Sequence, residues 1–394
     1  MKSRPEGLIA NRLDFFARTL LLSVASALQA KAHAFHERLF PASLDERADN
    51  IGLLVIQLGQ IGDYVLTESF LKAVKDRYGD KVRLTVLLDS INAGLCIKSG
   101  CADEVIIYNS KKYTRSEPTG FPAQVLEIGK YSAAVWLRGD LKTLFLLMRK
   151  RIPFVSAAKY PMPARRAWIS IMSGRPVAGD YMHFCECLQN LFAQLFSENM
   201  MAAVSSARSS RHCGQGREVY IHIGAGNMLR RWPTQRFAKL CGMLLDSDKD
   251  LKISLLGSKA DFWEAFAVME EGVLSNRGER IKNLCGLVGL SELKELLSEG
   301  SLYIGFDSGP MHIAASSGIP IVAMMGPQSP KVFRPWGNQD TRIVYKNFFC
   351  SPCWQFSCLY NHGDGAGACV LAITPEEVFS EAEVLLRKSG NYEN

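Results

Sequence analysis

Residues 302–315 combine a short apolar run with a turn and a helix start that could hold a phosphate group. Leu302–Phe306 is apolar enough for a buried strand, and Ser308 or Gly309 can cap a following helix. Pro310 suits the first turn of that helix, where its missing N–H is harmless. The free backbone amides and positive dipole at such a helix start attract anions. The segment predicts a phosphate site, and a well-capped strand–turn–helix without a ligand is the alternative.

A second candidate for chemistry is the turn Leu58–Asp63 (LGQIGD), which follows the apolar run Ile51–Gln57. Its two glycines, Gly59 and Gly62, let the backbone approach a ligand closely. The carboxylate of Asp63 could act there as a general base. Capping of the helix that follows is its alternative role.

A glycine-rich turn recurs at Gly224–Gly226, after the apolar run that begins at Val219. The turn resembles a dinucleotide fingerprint, but Leu229 stands where the third glycine should fall, which argues against a dehydrogenase. Arg230 and Arg231 follow closely, and an arginine beside a glycine turn is a candidate phosphate clamp, because it stays charged at any working pH. Predicted strands also end near Gly257, Leu284 and Asp307, and these ends should line one cleft with Gly224.

The elements that position these residues alternate between strand and helix along the chain, which predicts α/β domains with parallel sheets. The chain has 394 residues, so two domains are expected. The polar, glycine-containing segment 205–217 is the predicted linker. The expected division begins with an N-terminal helical extension at residues 1–50 and a first domain at 51–204. After the linker come a second domain at 218–375 and a C-terminal helix at 376–394.

Composition favours a globular protein that binds a small anion or an anionic membrane surface. Hydrophobic residues make up 47% of the chain and charged residues 22%, as in proteins with a full-sized core. The net charge of +7 is spread along the chain rather than grouped in runs, so nucleic acid is not an expected partner.

Residues 1–50 carry apolar side chains at helical spacing with basic residues between them, as at Ile9, Leu13, Phe16 and Leu20. The apolar stretch is too short to span a bilayer. The pattern predicts an amphipathic helix that rests on an anionic membrane or packs on the protein. A secretory signal is the alternative, and the enzyme-like sequence behind it favours the cytoplasm.

Cysteine usage points to a reducing compartment, because the count of eleven is odd and most of the residues are dispersed. Cys350, Cys353, Cys358 and Cys369 are exceptions that lie within 20 residues of one another. Four thiols beginning with a C-x-x-C pair could form a structural metal site. Reduced, packed thiols are the alternative, since a second C-x-x-C pair is missing.

Taken together and in order, four segments resemble glycosyltransferase family 9, the ADP-heptose:lipopolysaccharide heptosyltransferases. They are LGQIGD at 58–63 with Thr67, HIGA at 222–225, RWP at 231–233, and DSGPMHIAA at 307–315 leading to Gly326-Pro327. The resemblance covers about residues 51–380. It implies a GT-B fold: two Rossmann-like domains facing a central cleft, the acceptor on the first, the nucleotide sugar on the second, and the last helix crossing back to the first.

The resemblance also implies roles for individual residues. Asp63 would deprotonate the acceptor hydroxyl in a single displacement with inversion, and Arg231 would contact the diphosphate. The acceptor-side loop would include Gly59, Gly62 and Thr67. The implied donor-binding residues are His222, Gly224, Arg231, Asp261, Leu287, Asp307, Ser308, Gly309, Met311 and His312.

On this resemblance no cofactor is required, the donor is ADP-heptose, and the acceptor is a lipid-linked saccharide at the inner face of the cytoplasmic membrane. Gln57, Glu68 and Ile223 depart from the usual family residues, and these departures leave the acceptor open. Other interpretations are transfer of another sugar or to another glycan or protein, a nucleotide-sugar epimerase, and a non-catalytic membrane-associated sugar-nucleotide-binding protein.

Overall fold

The computed structural model describes residues 50–111, 116–122, 130–156, 183–196, 217–274, 276–348, 350–351, 353, 358 and 365–388. The predicted N-terminal extension and linker lie outside these residues, except for Asn50 and Arg217. Two compact units are present. The first contains the described parts of Met1–Leu58, Ala73–Asp89 and Ala102–Met201, and the second contains those of Gly59–Lys72, Ser90–Cys101 and Ala202–Asn394. The predicted domain boundaries stay predictions.

The first unit is built on a five-stranded parallel sheet with the order β3-β2-β1-β4-β5. All seven residues of β1 are buried, as expected of a central strand with a continuous apolar run. The strands are β1 (Ile51–Gln57), β2 (Val82–Leu88), β3 (Glu104–Ile107), β4 (Ala133–Arg138) and β5 (Phe154–Ser156).

Four helices accompany the first part of the chain: α1 (Ile61–Tyr78), α2 (Ser90–Ser99), α3 (Leu141–Arg149) and α4 (Phe184–Phe196). The sequence predicts that α1 begins near Tyr64, whereas it begins at Ile61 and therefore includes Asp63 in its first turn. Asp140 caps α3 by accepting a hydrogen bond from the Thr143 amide at 2.9 Å.

The second unit is built on a six-stranded parallel sheet with the order β11-β10-β9-β6-β7-β8. Its strands are β6 (Glu218–His222), β7 (Lys252–Leu256), β8 (Ile281–Asn283), β9 (Leu302–Phe306), β10 (Ile321–Met325) and β11 (Thr341–Tyr345). The sequence does not predict β11, which is an edge strand with the exposed side chains Arg342 and Ile343 and lacks a continuous apolar run.

The later helices are α5 (Thr234–Ser247), α6 (Phe262–Met269), α7 (Leu290–Ser298), α8 (Gly309–Ser317), α9 (Pro330–Phe333), α10 (Ala368–Leu371) and α11 (Pro375–Lys388). α11 packs on α5 and on β9, β10 and β11. Its predicted return to the first domain stays a prediction. No helix among the described residues is long and apolar enough to cross a membrane.

The RWP segment is part of the core of the second unit. Trp232 makes edge-to-face contacts with Phe237 and Phe306 at ring-centroid distances of 5.4 and 6.0 Å. The Trp232 indole N–H donates to the carbonyl of Val370 at 3.1 Å, so this buried polar atom is satisfied. The tryptophan therefore stabilises the sheet against the chain that leads into α11.

Candidate functional site

The order of strands in the second sheet reverses between β6 and β9. From β6 the chain proceeds outward through β7 and β8, and from β9 it proceeds the other way through β10 and β11. The two strands pair in parallel up to His222 and Gly305, so the loops that follow them leave the same edge of the sheet side by side. Open α/β sheets bind their ligands at such a topological switch point.

The loop after β9 leads into α8 as the sequence predicts. Ser308 is its N-cap in an extended backbone conformation, Pro310 lies in its first turn, and Gly318 ends it with a left-handed φ of 86°. With nine residues, α8 offers unpaired amides and a positive dipole end at the switch point. Met311 is fully buried and belongs to the core, so its side chain is not available to a ligand.

Asp307 lies between the side chains of Arg230 and His312. Arg230 Nη1 donates to the Asp307 carbonyl oxygen and lies 3.3 Å from its carboxylate Oδ2. His312 Nε2 is 3.8 Å from Asp307 Oδ1. The family resemblance singles out Arg231 and not Arg230, which directly precedes it and ends a short 3-10 turn at Met228–Arg230.

Arg231 has a different environment from its neighbour. Its guanidinium lies 2.7 Å from Asp261 Oδ1 and 2.7 Å from Glu264 Oε2, and its Nε donates to the Ala225 carbonyl at 3.1 Å. Two carboxylates therefore balance its charge. The role of Arg231 at a diphosphate stays a prediction.

The two carboxylates that share Arg231 have opposite pKa shifts. Burial acts to raise the pKa of Asp261, but hydrogen bonds from Ser258 and the charge of Arg231 outweigh it and lower that pKa. Burial raises the pKa of Glu264 and the attraction to Arg231 does not fully offset it. The difference arises because the Ser258 amide and hydroxyl donate only to Asp261, at 2.8 and 2.6 Å.

Asp261 also explains why Gly224 is a glycine. A Cβ at that position would lie 2.5 Å from Asp261 Oδ2, so any side chain would displace the carboxylate. His222 is buried just before this turn. Burial is the main cause that lowers its pKa to about 4, so the imidazole is neutral at pH 7. Leu287, by contrast, is exposed on the loop after β8.

The start of α1 packs closely against the start of α8 within the second unit. A Cβ on Gly62 would lie 2.8 Å from His312 Cδ2, and a Cβ on Gly309 would lie 2.6 Å from Ile61 Cβ. Both glycines are thus required for this approach. It brings two helix N-termini together, and the positive ends of their dipoles add at one place.

Asp63 occupies the first turn of α1 and is buried. Its carboxylate Oδ2 accepts a hydrogen bond from the Gln60 amide at 3.1 Å, a capping contact. Thr67 Oγ1 donates to the Asp63 carbonyl at 2.7 Å, and Asn92 Nδ2 donates to the Gly59 carbonyl at 2.9 Å. The capping alternative is therefore realised, and the catalytic roles of this loop stay predictions.

The ten described cysteines are free. Cys350, Cys353, Cys358 and Cys369 line one small cavity together with Leu229 and Pro327. Burial, followed by proximity to Cys353 and Cys358, raises the pKa of Cys369 to about 11. No group of three or more ligands within the described part of the chain is arranged to hold a metal ion.

Comparison with known proteins identifies the family. Residues 124–363 match the family model described as "Glycosyltransferase family 9 (heptosyltransferase)". A curated relative, lipooligosaccharide heptosyltransferase 2 of Campylobacter jejuni, is 29% identical over 160 residues, which are 41% of this chain and 48% of the relative. The chain thus spans about half the length of this curated relative.

Solved structures share the fold. E. coli ADP-heptose lps heptosyltransferase II aligns with a TM-score of 0.63 and 19% identity, over 86% of this chain and 100% of that one. The iron-containing dodecameric glycosyltransferase TibC from enterotoxigenic E. coli aligns with a TM-score of 0.53 and 15% identity, over 88% of this chain and 81% of TibC. The predicted fold class of two parallel-sheet α/β units is confirmed, and the chain belongs to glycosyltransferase family 9.

Proposed function

We propose that the protein is an inverting glycosyltransferase that moves a heptose from ADP-heptose to a saccharide of the lipopolysaccharide core. Family membership supports glycosyl transfer. The name of the C. jejuni relative supports a heptose and a lipooligosaccharide, and that of the E. coli structure supports ADP-heptose. The observation that carries the proposal is the switch point between β6 and β9, where α8 begins beside Arg230 and Asp307.

The diphosphate of the donor would bind at the start of α8. The amides of its first turn and the nearby start of α1 supply positive potential without a metal ion. Asp307 holds Arg230 at this edge through its carbonyl oxygen and carboxylate. Arg230 and the helix end would stabilise the charge that develops on the departing ADP.

Asp63 is the proposed base. It would take the proton of the acceptor hydroxyl as that oxygen forms a bond to the anomeric carbon and the bond to the diphosphate breaks. Such a base contributes typically about 10² to 10⁴-fold to the rate. Asp63→Asn should keep donor affinity and lose at least about 10²-fold in turnover, and unchanged turnover would remove Asp63 from the mechanism.

Calorimetric titration of the full chain with ADP-heptose, and separately with a UDP-sugar for comparison, tests the donor site. We expect selective binding of the ADP sugar, weakened about tenfold or more by Arg230→Ala, because a charge-assisted contact is lost. Arg342→Ala on the edge strand β11 is the matched control and should bind as the wild type does. Binding of a UDP-sugar alone would favour the other-sugar or epimerase alternative, and no binding of either sugar nucleotide to the folded protein would refute the proposed donor site.

A structural metal at Cys350, Cys353, Cys358 and Cys369 is a second proposal, supported by the cavity that these thiols share. TibC is described as iron-containing. The donor set suits a thiophilic ion such as Zn²⁺ or Fe, but the described sulfur positions do not form a closed ligand group. Elemental analysis of purified protein is the test, with Cys353→Ser compared with Cys241→Ser. Metal-free protein would refute the proposal.

A further inference from the structure

Helix α3 (Leu141–Arg149) has two apolar faces, and the core of the first unit uses only one of them. Thr143, Leu144 and Leu147 are buried on the inner face. The outer face carries Leu141, Phe145 and Met148, whose exposed fractions are 68%, 59% and 38%. These three residues, here called the α3 stripe, are spaced i, i+4 and i+7, so they lie within about 60° of arc on one side of the helix.

Exposed apolar residues are ordinary when they are scattered, but a contiguous stripe usually marks an interaction surface. The α3 stripe includes a phenylalanine and a leucine that are both more than half exposed. Core packing does not account for them, because Leu144 and Leu147 already fill the inner side. The outer face of α3 is therefore a candidate interaction surface.

Charge indicates which occupant fits. Residues 141–151 include Lys142, Arg149, Lys150 and Arg151 and contain no aspartate or glutamate. Lys142 and Arg149 are seven residues apart and form a row beside the stripe. Lys142 Nζ lies 5.6 Å from the ring centroid of Phe121, and none of the four cations forms an ion pair with a carboxylate among the described residues.

The acidic residue nearest in sequence is turned inward. Asp140 accepts hydrogen bonds from Tyr108 Oη at 2.9 Å and Ser110 Oγ at 2.6 Å, as well as from the Thr143 amide. These bonds lower the pKa of Asp140 against the opposing effect of burial. Its carboxylate is therefore committed to the helix start and does not neutralise the basic row.

We propose that α3 is a membrane-docking helix that lies in the headgroup region of an anionic phospholipid bilayer. The α3 stripe would enter the acyl boundary, and Lys142 and Arg149 beside it would contact lipid phosphates. An apolar face flanked by cations is the pattern of helices that rest in a membrane interface. A protein partner with an acidic rim, or a second copy of the chain, would be an alternative occupant.

The proposal does not rest on the proposed function, since vesicle binding needs neither donor nor acceptor.

Flotation of the full chain with mixed phosphatidylglycerol–phosphatidylcholine vesicles tests the proposal. The triple variant Leu141→Ser, Phe145→Ser, Met148→Ser should partition at least about tenfold less than the wild type, because the inserted apolar area is lost. The matched control removes three exposed apolar residues of the second unit by Trp263→Ser, Phe266→Ser and Val273→Ser, and should keep wild-type partitioning. Equal partitioning of the wild type and the stripe variant would overturn the proposal.

Two further measurements isolate α3 from any other membrane contact. Phe145→Trp should gain fluorescence quenching by lipids brominated on the acyl chain, relative to the wild type, because the new indole would enter the acyl boundary. Lys142→Glu with Arg149→Glu should reduce binding to anionic vesicles about tenfold or more and leave binding to pure phosphatidylcholine unchanged. Absence of added quenching would overturn the proposal. So would an oligomer of the wild type in size-exclusion chromatography that the stripe variant abolishes.

Discussion

Removal of Arg231 should destabilise the second unit, and the size of the effect follows from its two carboxylate partners. The side chains of Arg231 and Glu264 are 22% and 23% exposed, and that of Asp261 is 4% exposed. Breaking a fully buried ion pair costs about 3–5 kcal/mol. Because Glu264 is partly solvated and Asp261 keeps its bonds from Ser258, we expect a smaller cost than that, about 2–3 kcal/mol for Arg231→Met.

A double-mutant cycle measures this interaction. The variants Arg231→Met, Glu264→Gln and their combination are unfolded in urea at pH 7, and the free energies of unfolding are compared. We expect a coupling energy of about 1 kcal/mol for the partly solvated pair of Arg231 and Glu264, and a larger total loss for Arg231→Met because Asp261 is left without its cation.

Unfolding and donor binding of Arg231→Met together separate a structural role of Arg231 from a role in donor binding. If Arg231→Met unfolds within about 0.5 kcal/mol of the wild type, the ordinary range of a surface substitution, the ion-pair argument is wrong. If the same variant also loses ADP-heptose binding, Arg231 contacts the diphosphate as the family resemblance implies. Arg230→Ala is the informative comparison, because its guanidinium lies at Asp307 instead.

Three other expectations concern local geometry. Gly309→Ala should cost about 1–3 kcal/mol of stability and weaken donor binding, because the new Cβ would meet Ile61. The control Gly94→Ala has no neighbour within 4 Å and should stabilise the interior of α2. Equal unfolding midpoints of the two variants would refute the close contact. Arg151→Gly should raise the unfolding temperature by relieving a left-handed φ of 54°, worth about 1 kcal/mol, and Arg151→Ala should not. Stability should fall between pH 6.5 and 4 by roughly 3 kcal/mol because only the unfolded state protonates His222, and an equal slope in His222→Gln would contradict this.

Several elements follow from the sequence with little error. The runs Ile51–Gln57, Val82–Leu88 and Leu302–Phe306 are strands with the predicted bounds, because buried parallel strands are predominantly apolar. Gly318 ends α8 as predicted, since a left-handed residue at that point favours glycine. The four motifs, taken in order, also resemble the family that the comparisons confirm.

Other features depend on contacts that are distant in sequence. The edge strand β11 carries no apolar run, and its place is set by pairing with β10. Met311 lies within the strongest motif, yet it is buried, because the inward face of α8 is determined by the sheet beneath it. The α3 stripe could be recognised only once Leu144 and Leu147 were seen to occupy the core.

The amino-acid sequence alone therefore determined most element types and the parallel α/β class, because apolar periodicity, caps and glycine turns are local properties of the chain, and the resemblance of its motifs indicated the family. Only the tertiary structure decided which arginine meets which acid. Arg230 ends a 3-10 turn and reaches Asp307, while Arg231 is in extended backbone and reaches Asp261 and Glu264. The backbone turns between these neighbours, and their partners lie in segments that follow β7 and β9, which only the strand order of the sheet brings together.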